Sequence, residues 1–90
     1  MVRTIKQLGL TEELAATPVH VDGEMWTVLE AARYIYRAHR DDNPNIKTVM
    51  LLAAGLDRLQ QKAENIEDTK LIQTADALKK EALTIFREKL

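Results

Sequence analysis

Apolar positions in this chain follow two patterns: a short strand-like alternation near residues 19–26, and helical spacing of three and four residues from there to the C-terminus. The densest stretch is residues 49–54, Val-Met-Leu-Leu-Ala-Ala, within a helix expected over residues 44–64. Six consecutive apolar residues cover every side of a helical turn, so this segment is expected to be central and covered all round. Val49, Leu52, Leu56, Leu59, Ala63 and Ile66 then recur at spacings of three and four, a stripe suited to one packing partner. The helix is thus expected to begin fully buried and to end amphipathic.

Upstream, Thr27-Val28-Leu29-Glu30 has the form of a capping box and opens a helix expected over residues 27–41. Met25, Val28, Leu29, Ala32, Ile35 and Tyr36 share one face, which His39 extends as a hydrogen-bonded end to the core stripe. Arg33, Arg37 and Arg40 follow the opposite edge and form the one basic row in the sequence. Asn43-Pro44 separates this helix from the central one, because a residue before proline is pushed out of the helical region while proline suits a first helical position. Ala53, Ala54 and Gly55 are small enough to let another helix approach closely.

After Gly55 there is no glycine or proline, yet the apolar phase slips. The spacing jumps from Ile66 to Leu71, then resumes through Ala75, Leu78, Ala82 and Ile85. A five-residue step rotates the stripe by about 140° at 100° per residue, so one straight helix would point its two seams in different directions. A bend at residues 65–68, with Asn65 or Asp68 capping a last helix over residues 68–89, removes the conflict and is preferred over one long, coiled-coil-like helix. The expected result is an antiparallel C-terminal hairpin. Leu78, Ala82, Leu83, Ile85, Phe86 and Leu90 widen the final stripe beyond what one neighbour covers, and they are the candidate protein interface.

Residues 1–18 read as a helical flap. Thr4-Ile5-Lys6-Gln7 offers a capping box that Gly9 can close, and Thr11 offers a second N-cap, with Glu12 and Glu13 in the first turn and Thr17-Pro18 ending the segment. A helix-turn-helix reading fails here, because both helices are very short and two acids stand where a recognition helix approaches phosphates. Between residues 19 and 26, polarity alternates around Asp22-Gly23, the dipeptide favoured in two-residue hairpin turns. A short β-hairpin or a tight loop delivering Trp26 to the core is expected there.

Composition narrows the function classes. Ninety residues allow one domain with a thin core, and aromatics at 4% leave that core to aliphatic side chains. Thirteen basic and 14 acidic residues give a formal charge of −1, so no global field draws the chain to nucleic acid or membrane. There is no cysteine and no serine, which excludes disulfides, thiolate ligands and serine or cysteine nucleophiles. His20 and His39 are the two histidines; Asp42, three residues after His39, falls past the expected end of that helix, so the ligand pairing that helical metal sites usually employ is not made and no metal site is expected. With no glycine-rich phosphate loop either, no cofactor and no enzymatic activity are expected. The apolar runs are too short to span a membrane and residues 1–8 do not form a signal peptide, so a cytoplasmic location is expected.

Residues 27–35, TVLEAARYI, resemble the first helix of excisionase-type DNA-binding domains, a likeness that implies nucleic-acid contact. Asn43-Pro44-Asn45-Ile46 and residues 51–56 resemble the division-ring protein ZapA family, whose small strand-containing head and long C-terminal helix imply a dimer. Neither likeness covers enough of the chain to assign a family. The sequence is therefore read as a single all-α domain, a small helical bundle acting as a non-catalytic interaction or assembly module and pairing as a homodimer. The alternative is a small nucleic-acid-binding or regulatory protein using Arg33, Arg37 and Arg40.

Overall fold

The computed structural model describes residues 10–89. In chain order it has α1 (Glu12–Ala15), β1 (Pro18–Val21), β2 (Glu24–Thr27), α2 (Val28–Arg40), α3 (Ile46–Asn65) and α4 (Thr69–Lys89). The domain is predominantly helical, with an antiparallel α3–α4 pair and one two-stranded antiparallel sheet. The expected Thr4–Gln7 capping box and the Gly9 turn lie outside the described residues. Of the N-terminal flap, α1 is a single turn capped by the Thr11 hydroxyl, which accepts from the Leu14 N–H at 3.2 Å.

The segment around Asp22-Gly23 is a hairpin. Asp22 and Gly23 both take positive φ, 49° and 80°, the pair of values that lets a two-residue turn match the twist of its strands. The register pairs Val19 with Trp26 and His20 with Met25. Cross-strand partners share a face, so Val19, Val21 and Trp26 point inward while His20 and Met25 point out. Met25 is consequently 60% exposed, which corrects its expected place in the core stripe: it belongs to a strand and follows a strand's alternation. Burying Val19 and Val21 against helices contributes about 1.5–3 kcal/mol each, which stabilises a hairpin too short to persist alone.

What those strands rest on is Gly55. A Cβ at this position would lie 2.5 Å from the His20 carbonyl oxygen and 3.2 Å from Val19 Cγ1. At Gly55 the notch therefore admits the backbone of β1, not another helix. Arg58 reaches the same carbonyl, with Nη2 donating at 3.0 Å.

The α2 helix opens as its sequence predicts. Thr27 Oγ1 accepts from the Glu30 N–H and Glu30 Oε1 accepts from the Thr27 N–H, both at 3.1 Å. Its buried side is Val28, Ala31, Ala32, Ile35, Tyr36 and Ala38. Trp26 and Tyr34 meet edge to face at 5.7 Å, tying β2 to α2. Near the C-terminal end, His39 Nε2 lies 3.0 Å from the Glu81 carbonyl and 3.2 Å from the Glu81 carboxylate. Both neighbours are acceptors, so Nε2 carries the proton and α2 is fastened to α4.

Asn45, not Pro44, borders the helical region of α3: its side chain accepts from the Thr48 N–H at 3.2 Å, and proline falls just outside the cap. The bend comes where the phase slips. The Asp68 N–H donates to the Ala63 carbonyl at 3.0 Å and the Glu67 N–H to the Glu64 carbonyl at 3.1 Å, the paired bonds of a Schellman turn. Glu67 supplies the left-handed residue, with φ 55°. Asp68 then caps α4 by accepting from the Leu71 N–H at 3.2 Å. Ile66, counted in the stripe from its spacing, is 65% exposed because it is already leaving the helix.

Core residues from both long helices, among them Leu52, Leu56, Leu78 and Ile85, are fully buried beneath α2 and the hairpin. The expectation that residues 49–54 are covered on every side is corrected. Val49 and Leu52 are buried, but Met50 is 58% exposed and Ala54 is also exposed. The described chain holds α2, α4 and the hairpin against α3, and none of them covers the remaining side.

Candidate interaction surfaces

The seam between α3 and α4 is polar near the turn. Lys79 Nζ lies 3.1 Å from Asp57 Oδ1, and Gln60 Nε2 lies 3.5 Å from Asp76 Oδ1. Asp76 also receives the Lys80 ammonium at 2.9 Å, and that hydrogen bond holds its carboxyl below the ordinary carboxylate value. These pairs fix the register of the two helices. One and two turns farther from the bend, the same sides carry Ala53 and Met50 on α3 and Leu83 and Phe86 on α4. There the seam turns apolar. Leu83 is 44% exposed, Met50 still more so, and Ala53 and Phe86 are half-buried against the core.

The expected interface is thus divided. Leu78, Ala82 and Ile85 are fully buried inside the chain, because α4 has two neighbours, α3 on one flank and α2 on the other. Leu83 and Phe86 reach the open end of the seam, and Leu90 lies outside the described residues. Met50 and Ala53 join the surface although the spacing of the C-terminal stripe does not point to them. The signal was present in residues 49–54, where six apolar positions supply more sides than the neighbouring elements can cover.

Arg33, Arg37 and Arg40 are all exposed along the outer side of α2. Among the described residues none of the three enters an ion pair. Arg37 and Arg40 stand in the last turn, where the helix dipole favours cations. Asp41 and Asp42 follow directly, and Asp41 is occupied locally, its Oδ1 accepting from the Asn43 N–H at 3.0 Å.

No described helix is long and apolar enough to cross a membrane. The architecture defines a small, predominantly helical domain in which an α-hairpin is braced by a third helix and a β-hairpin. Comparison with known proteins finds no family model, no curated protein and no solved structure that matches the chain.

Proposed function

We propose that this domain is a non-catalytic assembly module of the cytoplasm that pairs with a second copy of itself through the open end of the α3–α4 seam. One observation carries the reading: Met50 and Leu83 are large and exposed on adjacent helices, one turn apart along the seam, with the half-buried Phe86 level with Met50 and Ala53 level with Leu83. Antiparallel helices present such a patch to a symmetry-related copy as a self-complementary surface. The polar pairs at Asp57–Lys79 and Gln60–Asp76 mark its boundary.

Sedimentation equilibrium tests this directly. The wild type should show twice the 10.2 kDa chain mass at micromolar concentration, and Leu83→Glu and Met50→Glu should each restore the single-chain mass without loss of helical signal. A wild type that stays at 10.2 kDa at every accessible concentration overturns the proposal. The second reading rests on the Arg33, Arg37 and Arg40 row, exposed and without ion-pair partners among the described residues. It requires binding to DNA or RNA that weakens steeply with salt, with a slope that falls by about 1 for each arginine neutralised.

A further inference from the structure

Between β1 and α3, away from the proposed pairing surface, lies a cavity of about 170 Å³. That is close to the ~150 Å³ of an engineered protein cavity that holds a benzene ring. Its interior is apolar, made by the buried Val19, Gly55 and Leu59, with the exposed Pro18 beside them. Its mouth is basic: the other lining residues, His20, Arg58 and Lys62, are exposed, and no acidic side chain among the described residues lines it. In a chain of formal charge −1 this is a local reversal of sign.

Arg58 is held in place there. Its Nη2 is bonded to the His20 carbonyl, and that bond exists because Gly55 leaves room for the same carbonyl to descend onto α3. One N–H is thereby committed and the rest of the guanidinium fork stays available to an anion. Lys62 follows one turn later on the same side of the helix. Asp57, the acid adjacent to Arg58 in sequence, is engaged elsewhere by Lys79 at 3.1 Å and Gln61 at 3.0 Å.

We propose that this cavity binds a small organic monocarboxylate. Its apolar body, an aromatic ring or branched aliphatic group of about six heavy atoms by the benzene comparison, enters between Val19 and Leu59. Its carboxylate meets Arg58 and Lys62 at the mouth. Inorganic phosphate would leave the apolar interior unused, and a nucleotide exceeds the volume.

Benzoate is a suitable probe, with benzyl alcohol as its neutral counterpart and inorganic phosphate at matched ionic strength as the anion control. Amide chemical shifts of the wild-type protein should move saturably with benzoate at residues 19–20 and 55–62. Benzyl alcohol should bind about tenfold more weakly, and Arg58→Gln should weaken benzoate by a similar factor, the loss expected for a charge-assisted hydrogen bond. Lys62→Gln should weaken it less. Equal binding of benzoate and benzyl alcohol overturns the proposal, as does equal binding of phosphate or a benzoate response spread over Arg33, Arg37 and Arg40. Should Arg58→Gln fail to fold, the three probes on the wild type and the Lys62→Gln variant still decide.

Discussion

Glu67→Gly should stabilise this protein, and the expectation follows from one dihedral angle. Glu67 sits at φ 55° in the turn between α3 and α4, its N–H bonded to the Glu64 carbonyl and its side chain exposed. Left-handed backbone costs an L-residue about 1–2 kcal/mol, which glycine avoids. Glycine's larger unfolded-state entropy offsets about 0.5–1 kcal/mol of that gain. The carboxylate lies between the negative end of α3 and the positive end of α4, so its dipole energies oppose each other. A net gain of about 0.5–1 kcal/mol remains, which raises the Tm of a domain this size by about 2–8 °C. Urea and thermal unfolding followed by circular dichroism would measure it, with Glu67→Ala as the control that keeps the strain and should be close to neutral. If the chain instead continued as one helix through residue 67, the signs would invert, with glycine about 1 kcal/mol worse than alanine. A destabilised Glu67→Gly beside a stabilised Glu67→Ala would refute both the turn and the reasoning.

Three further variants probe the supports of the fold. Gly55→Ala should destabilise by about 1–3 kcal/mol despite alanine's higher helix propensity, because the new Cβ meets the His20 backbone oxygen and not a yielding side chain; a stabilised variant would show that β1 does not rest on α3. Asp68→Ala should lose about 0.5–2 kcal/mol with the cap of α4, and hydrogen exchange of the Leu71 amide should accelerate. The Asp76 carboxyl is held below its ordinary 3.8 by the Lys80 hydrogen bond, so its stabilising contribution is present above that pH and is lost as pH falls through the lowered folded-state value. Asp76→Asn should therefore reduce the slope of acid unfolding below pH 3.8, and an unchanged slope would show that the pair does not form.

The elements that could be read from the residues are those whose signal is local. The Thr27 capping box needs only four consecutive residues, Asp22-Gly23 needs only two, and the slip between Ile66 and Leu71 is visible as a break in spacing. Each of these places a boundary where the structure has one. Quantities that depend on how many neighbours surround an element were not legible. Met25 looked like core because it continues the α2 spacing backwards, yet a strand changes the period. Gly55 looked like a notch for a helix, since nothing local reveals that a strand backbone arrives there instead. Leu78, Ala82 and Ile85 looked available for a partner because the stripe is wide, but α2 returns to cover them, and the His39–Glu81 contact across 42 residues that secures this has no local signature. The same blindness hid Met50, whose exposure follows from what fails to cover it.

The Gly55 notch also bears on the order in which the chain closes and on how long it stays closed. The bonds of the α3–α4 turn join positions three to five apart, whereas the Arg58–His20 bond joins positions 38 apart. About three doublings of loop length separate them, at ~0.6 kcal/mol of closure entropy each, so the long connection carries about 2 kcal/mol more of that cost. Closure cost therefore favours the α-hairpin first, and docking of the β-hairpin onto α3 should come as a later step. Contacts made after the transition state slow unfolding without speeding folding. On that order, filling the notch with Gly55→Ala should speed unfolding more than it slows folding.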